Sequence, residues 1–264
     1  MSIDRSEGRT LFGSDPAGYD AARPGHPERV YEVLVERCGL GPGTAVLEIG
    51  PGTGQATRRL LELGADPLVA VEPNERLADY LETILGETVG VLRAPVEGAE
   101  LQRASFDLAA AASSFHWVDE GVGLATTHAA LRPGGWIALW WTLFGEGAGA
   151  DGFIRATSPL LDGLESSPTK GMTGRPHALD VEARVEALEA AGFRGIENER
   201  VRWQASWDTP GIRALYGSFS PILRLEPDRR TELLDEIARI AEQDFGGRVS
   251  RTLTTSLYTA HKPS

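Results

Sequence analysis

Three glycines crowd into five residues, Gly50, Gly52 and Gly54, inside the stretch VLEIGPGTGQATRRLLELG. Glu48 stands two positions before the first of them. A second acid, Glu72, closes the next apolar run, LVAVEP. Glycines at a tight turn let backbone approach a ligand where side chains would clash. A glycine-rich turn between a strand and a helix usually holds a cofactor, a dinucleotide and a nucleotide phosphate among the candidates, and the details narrow which one. A triphosphate loop ends in Gly-Lys-Ser/Thr so that the lysine neutralises phosphate. Here Gly54 is followed by Gln55, and the nearest cations, Arg58 and Arg59, come a turn later. A dinucleotide turn needs Gly-x-Gly-x-x-Gly, whereas this one is Gly-x-Gly-x-Gly.

A second centre of chemistry is His116, in SSFHW just after an apolar run. A neutral imidazole there can take a proton from a hydroxyl or amine. The other reading makes His116 and Trp117 a packing pair in a pocket wall. Trp140 and Trp141 are consecutive in a strand, so one faces each side of it. His177, Arg155, Lys170 and Arg175 fall in a polar stretch and read as solvated loop. No His-x-x-x-His pair and no cysteine set offers a metal site.

These residues need elements to hold them. HPERVYEVLVERCGL reads as a helix with Val30, Val33, Leu34 and Cys38 on one face. TAVLEIG is a strand and GQATRRLLELG a helix closed by Gly64. PLVAVEP is the second strand, followed by a helix that Asn74 caps. VGVLRAPV is the third strand and Phe106 to Ala112 the fourth. EGVGLATTHAALRPGG is a helix ending at its Pro-Gly-Gly, and WIALWWTLF is the fifth strand. Residues 1–25 read as loop-rich. One short helix is expected near 151–164, and DVEARVEALEAAGF is an amphipathic helix. GIENERVRWQASWD and RVSRTLTTSLYTAHK read as late strands pairing antiparallel, with two helices between them. Alternating apolar strands and helices predict an α/β, doubly wound, mostly parallel seven-stranded sheet. Ligands bind such sheets at the carboxyl ends of the strands.

The chain has 264 residues, enough for one large domain. It divides into an N-terminal cover and helix (1–40), a cofactor-binding core (41–144), a lid insertion (145–178) and a C-terminal completion of the sheet (179–264). The net charge of −12 repels nucleic-acid backbones and anionic lipid. Cys38 is the single cysteine, which fits a reducing compartment. No secretory signal and no membrane-spanning run is evident, so a cytoplasmic location is expected.

VLEIGPGTGQAT resembles the first motif of the class I S-adenosylmethionine-dependent methyltransferases. SFDL…HW, ALRPGGWIAL and the opening YDAARPGHPERV are similar to the small-molecule, trans-aconitate-methyltransferase-like branch. The resemblance covers residues 12 to 144 well and the remainder in topology only. It implies that S-adenosylmethionine is the cofactor and S-adenosylhomocysteine the product. Gly50, Gly52 and Gly54 would pass the methionine portion, with Glu48 reaching it through an amide or water. Glu72, with Pro73, would bind the ribose, Val96 and Glu97 would lie near the adenine, and Ser113 would border the cofactor. Arg23 would pair with the cofactor carboxylate, and Tyr19 would close over it. His116 is the one candidate base. The family's nucleic-acid branch carries Asn/Asp-Pro-Pro-aromatic where SSFHW stands, which points to a small-molecule acceptor. The expected function is methyl transfer to an O, N or C nucleophile. The alternative is a non-catalytic protein that binds the cofactor or its product.

Overall fold

A computed structural model describes residues 3–144, 151–164 and 175–264. In chain order the elements are helices α1 (Arg5–Leu11), α2 (Pro16–Ala22) and α3 (Glu28–Glu36); strand β1 (Thr44–Ile49), α4 (Gln55–Glu62), β2 (Ala65–Val71), α5 (Glu75–Leu85) and β3 (Gly90–Leu92); β4 (Phe106–Ala112), α6 (Glu120–Ala130), β5 (Leu131–Leu143), α7 (Gly152–Leu161) and α8 (Val181–Ala190); then β6 (Arg194–Asp208), α9 (Thr209–Gly217), α10 (Ser220–Leu223), α11 (Pro227–Phe245) and β7 (Arg248–His261).

The sheet has seven strands in the order β3-β2-β1-β4-β5-β7-β6. The first five strands pair in parallel. β7 runs against both of its neighbours. β1 and β4, adjacent at the centre, carry connections that leave in opposite directions, and the crevice between them opens at their carboxyl ends.

Side-chain alternation along the strands separates two cores. Val46, Leu108 and Trp140 pack with Val30 and Leu34 of α3, Leu60 of α4 and Leu81 of α5. Leu47, Ala109 and Trp141 face the other way, toward Leu124 of α6 and Leu188 of α8. A third apolar cluster joins Phe153 of α7 to α9, α10, α11 and Val249. Asn74 caps α5, its side chain accepting from the amides of Arg76 and Leu77.

Some sequence expectations need correction. Residues 1–25 hold two helices rather than loop. Asp15 caps α2 through the Gly18 amide, and Pro16 sits in the first turn, where its missing N–H costs nothing. α6 stops at Ala130, and Leu131 to Gly135 already belong to β5. β3 is only three residues long. The inward side of α8 carries a charge, because Arg184 is buried there. Residues 145–150 and 165–174, which include Lys170, lie outside the described residues. Within the expected insertion the structure describes α7 and a single turn at His177–Leu179.

Candidate functional site

β1 delivers the chain to the glycine turn, and the Gly50 amide ties the turn to β2 by donating to Val71 O at 2.9 Å. Gly52 has φ +60, and a Cβ placed on it would meet no protein atom within 4 Å. That face looks into the cavity. The Gly52 N–H donates to Glu72 Oε2 at 3.1 Å, and the Asn74 N–H donates to Oε1 at 2.9 Å. Burial pushes the Glu72 carboxyl up to about 7 against these two bonds. Each oxygen keeps acceptor capacity for a further donor.

A cavity of about 520 Å³ opens over this turn. Gly50, Gly52, Glu72, Pro73, Val96 and Glu97 line one end. Ser113, after β4, also lines it and has φ +54. Arg9 of α1 closes this end from above. It pairs with Glu97 Oε1, donates from Nε to Trp117 O at 3.0 Å, and helps hold the Glu72 pKa down. The Asn74 side chain in turn donates to Arg9 O at 2.9 Å. The second oxygen of Glu97 is buried and has no hydrogen-bond partner among the described residues. Burial favours its neutral form, but the Asp119 amide and Arg9 hold its pKa below the usual carboxylate range.

Arg23 lines the cavity inside a box of rings, 5.1 Å from the Tyr19 centroid, 5.2 Å from Phe144 and 4.8 Å from Phe219. Its Nε donates to Ser218 Oγ at 2.7 Å and its Nη2 to Ser218 O at 2.9 Å. Burial lowers its pKa. Two of its three nitrogens are committed to Ser218, the residue that follows α9. Tyr19 also meets Phe12 edge-on at 5.6 Å.

His116 lines the cavity and is buried. Trp141 Nε1 donates to its Nδ1 at 3.1 Å. Burial first, then the charges of Arg23 and Arg5, lower its pKa to about 3. This geometry does not suit a general base, since Nδ1 already accepts a proton donor and the ring stays neutral. His177, read from sequence as solvated loop, stands in the cavity wall beside Trp141. Arg155 and Arg175 are exposed.

Two expected residues do not line the cavity. Gly54 is the left-handed N-cap of α4, where a Cβ would strike Leu81 Cδ1 at 2.6 Å. Glu48 lies beneath the turn on the α3–α4 side, 1% exposed, with neither oxygen hydrogen-bonded among the described residues. The Thr57 hydroxyl lies near enough to moderate its charge but outside hydrogen-bond geometry. Burial pushes the Glu48 carboxyl up to about 7.

Residues 47–139 match the model of a family described as a methyltransferase domain. The matched span runs from the middle of β1 into β5 and holds the whole glycine turn, Glu72 and His116. The chain carries a class I S-adenosylmethionine-dependent methyltransferase domain. The methyltransferase is similar to an uncharacterized methyltransferase of Mycobacterium tuberculosis (strain ATCC 25618 / H37Rv), at 27% identity over 91% of this chain and 89% of the relative. An uncharacterized methyltransferase of Schizosaccharomyces pombe is 25% identical over 97% of this chain and 98% of the relative. Among solved structures, a phosphoethanolamine N-methyltransferase 2 of Haemonchus contortus, in complex with phosphomonomethylethanolamine and S-adenosylhomocysteine, superposes with a TM-score of 0.62 at 15% identity. That alignment covers 99% of this chain and 61% of the other. The [4+2]-cyclase SpnF gives the same TM-score of 0.62 at 18% identity, covering 99% of this chain and 98% of SpnF. At these identities the likeness is one of fold, and one fold serves distinct chemistries.

The residues of this methyltransferase fit the cofactor. The open face of Gly52 is a cradle that any side chain would begin to fill. Glu72 offers acceptors at the end of β2, and Glu97 stands beside Val96 in the same lining.

Proposed function

We propose that this methyltransferase acts on a small-molecule acceptor. The observation that carries the reading is the lining of the cavity. Beside the glycine turn it includes the apolar Phe144, Phe219 and Ile222, as small-molecule sites are mostly apolar with a few placed polar groups. The net charge of −12 also disfavours a nucleic-acid acceptor.

When bound, S-adenosylmethionine supplies an electrophilic methyl on a sulfonium. The chain's own share is binding, alignment and exclusion of water. Gly52 leaves room for the methionine portion, Glu72 accepts from the ribose, and Val96 and Glu97 flank the adenine. Pro73 and Ser113 border the cofactor, and the remaining Arg23 nitrogen faces its carboxylate. Tyr19 and α1 cover the site. Cys38 is the single cysteine, which fits a cytoplasmic setting; it is buried, and burial pushes its thiol up to about 12. Among the described residues no helix is long and apolar enough to cross a membrane.

Incubation with methyl-labelled S-adenosylmethionine and a metabolite panel tests the proposal. Label transfer to a small molecule supports it. Cofactor binding with no turnover on any acceptor would favour the non-catalytic reading.

A further inference from the structure

The sheet ends in two edges of unequal kind. β3 is only 3 residues long, and so short an edge offers little to pair with. β6 is 15 residues long, and no further strand pairs with its outer side among the described residues. Such an edge carries a row of unpaired N–H and C=O groups, which proteins blunt with proline, bulges or a covering element. β6 has no proline, its irregularity against β7 falls between Arg194 and Glu197, and none of its residues is buried. From Glu197 to Asp208 the register is unbroken. The outer side of that segment is regular, accessible and unsatisfied.

The side chains of the segment are sorted by face. Val201, Trp203, Ala205 and Trp207 are half-buried, on the face that Glu199 turns to Arg29 of α3. Arg200, Arg202, Gln204, Ser206 and Asp208 are exposed on the other face. Neither Arg200 nor Arg202 has a carboxylate partner among the described residues. Asp208 accepts the Gly211 amide on Oδ1 at 2.8 Å, which leaves Oδ2 for a cation. A shallow hollow of about 240 Å³, lined by Arg202, Trp203, Gln204 and Thr252, marks the middle of the segment.

Two copies of this strand can pair antiparallel about a twofold axis normal to the sheet. Such an axis keeps every side chain on its own face, and opposed residues share a face. The axis therefore passes through a residue and not between two. Charge decides which residue, because like charges directly opposed are destabilising. An axis at Asn198 or Glu199 opposes glutamates, and one at Arg200, Val201 or Arg202 opposes arginines. An axis at Trp203 sets Arg200 against Ser206 and Arg202 against Gln204, so no opposite charges meet. An axis at Gln204 sets Arg200 against Asp208, Val201 against Trp207, Arg202 against Ser206 and Trp203 against Ala205. The ion pair forms on both sides of that axis. An axis at Ala205 opposes Arg202 and Asp208, but it shortens the paired segment and leaves Arg200 outside it. We propose that the outer edge of β6 is a homodimer interface, in which residues 200–208 pair antiparallel with the same residues of a second copy about Gln204 and continue the sheet across both copies. None of these residues lines the cofactor cavity, so it stays open in each copy.

Sedimentation velocity of the full chain should show a monomer–dimer equilibrium that shifts with protein concentration. Arg200→Glu sets a glutamate against each Asp208 and should weaken the dimer at least ~10-fold, which is ~1.4 kcal/mol. Position 200 is exposed, so the circular dichroism of this variant should stay native. Opposed residues have Cα atoms about 4.5–5.5 Å apart, within the span that a disulfide bridges. Oxidation of Gln204→Cys should therefore link two copies. Arg202→Cys should stay a thiol, because its two copies stand roughly 13 Å apart along the strands. Cys38 is buried, and the native chain, oxidised in parallel, should not crosslink. A monomer at every concentration overturns the proposal and hands the edge to a strand of another protein. A dimer indifferent to Arg200→Glu overturns it too. Crosslinking of Ala205→Cys or Arg202→Cys in preference to Gln204→Cys overturns the register.

Discussion

The backbone N–H of Gly52 donates to Glu72 Oε2 at 3.1 Å, so the turn after β1 and the end of β2 are one unit. The loop and the carboxylate hold each other in place before any ligand arrives. A change at either residue therefore acts on the same binding surface.

Gly52→Ala should weaken S-adenosylhomocysteine binding by about 10-fold or more while the protein stays folded, since the new methyl meets only the cavity. The left-handed backbone adds a stability cost of ~1–2 kcal/mol. Gly54→Ala should do the reverse, because its methyl strikes Leu81 inside the core. Calorimetric titration and thermal unfolding, run on both variants, separate the two effects. Unchanged affinity in Gly52→Ala would mean that the turn does not touch the cofactor.

Glu72→Ala removes the acceptor for two backbone amides as well as the proposed acceptor for a ribose. Binding of S-adenosylhomocysteine should weaken by ~1–3 kcal/mol, the scale for an unpaired buried polar group. A native affinity in this variant would remove Glu72 from the site.

Glu48 should make the ligand-free protein less stable as pH rises. Its folded pKa is about 7 against an ordinary 4.5, so the folded state holds a proton that the unfolded state releases. Stability from this group is fully present below pH 4.5 and is lost as pH climbs to about 7. The loss is about 3 kcal/mol at ~1.4 kcal/mol per pH unit. The stability difference between native protein and Glu48→Gln, measured by denaturant titration across this range, should carry that slope. A flat difference would place the Glu48 charge in contact with water or a cation.

Arg251 of β7 is 2% exposed and spans Asp151 Oδ2 at 3.2 Å and Phe144 O at 3.1 Å. Asp151→Ala would leave that cation buried without its carboxylate and remove the cap of α7. A loss of about 2–4 kcal/mol is expected, below the fully buried case because Asp151 is partly exposed. Arg251→Met with Asp151→Ala should lose less than Asp151→Ala alone, and chemical denaturation of the pair checks it.

Much of the sheet was legible because its signals are local. Phe106 to Ala112 is apolar apart from Asp107 and forms β4 with those bounds. Asn74 caps α5 as its side-chain chemistry favours. The glycine turn, Glu72, Val96 and Glu97 gather at one cavity because each follows a strand end, where the topology brings them together. Glu48 was misplaced for want of a parity argument. It shares the face of Val46, which points to α3 and α4, and that alternation was readable from TAVLEI. The N-terminal helices were obscured by Gly8 and Gly18, weak helix formers at interior positions. Arg9 and His177 had no local signal at all. Arg9 reaches Glu97 across 88 residues, and His177 is held by Arg184 and Glu120 from two other helices. Such contacts exist only once the chain has folded.

The placement of β7 between β5 and β6 bears on the order of assembly. During synthesis β1 to β5 can pair as they emerge, and the cofactor cleft belongs to them. β6 is made before its only neighbour and must wait, through α9, α10 and α11, with both edges unpaired. β7 then enters between two waiting strands and completes both in one step. A ribosome-stalled chain ending near residue 247 should therefore already bind S-adenosylhomocysteine weakly, yet offer β5 and β6 to chaperones and to other nascent chains.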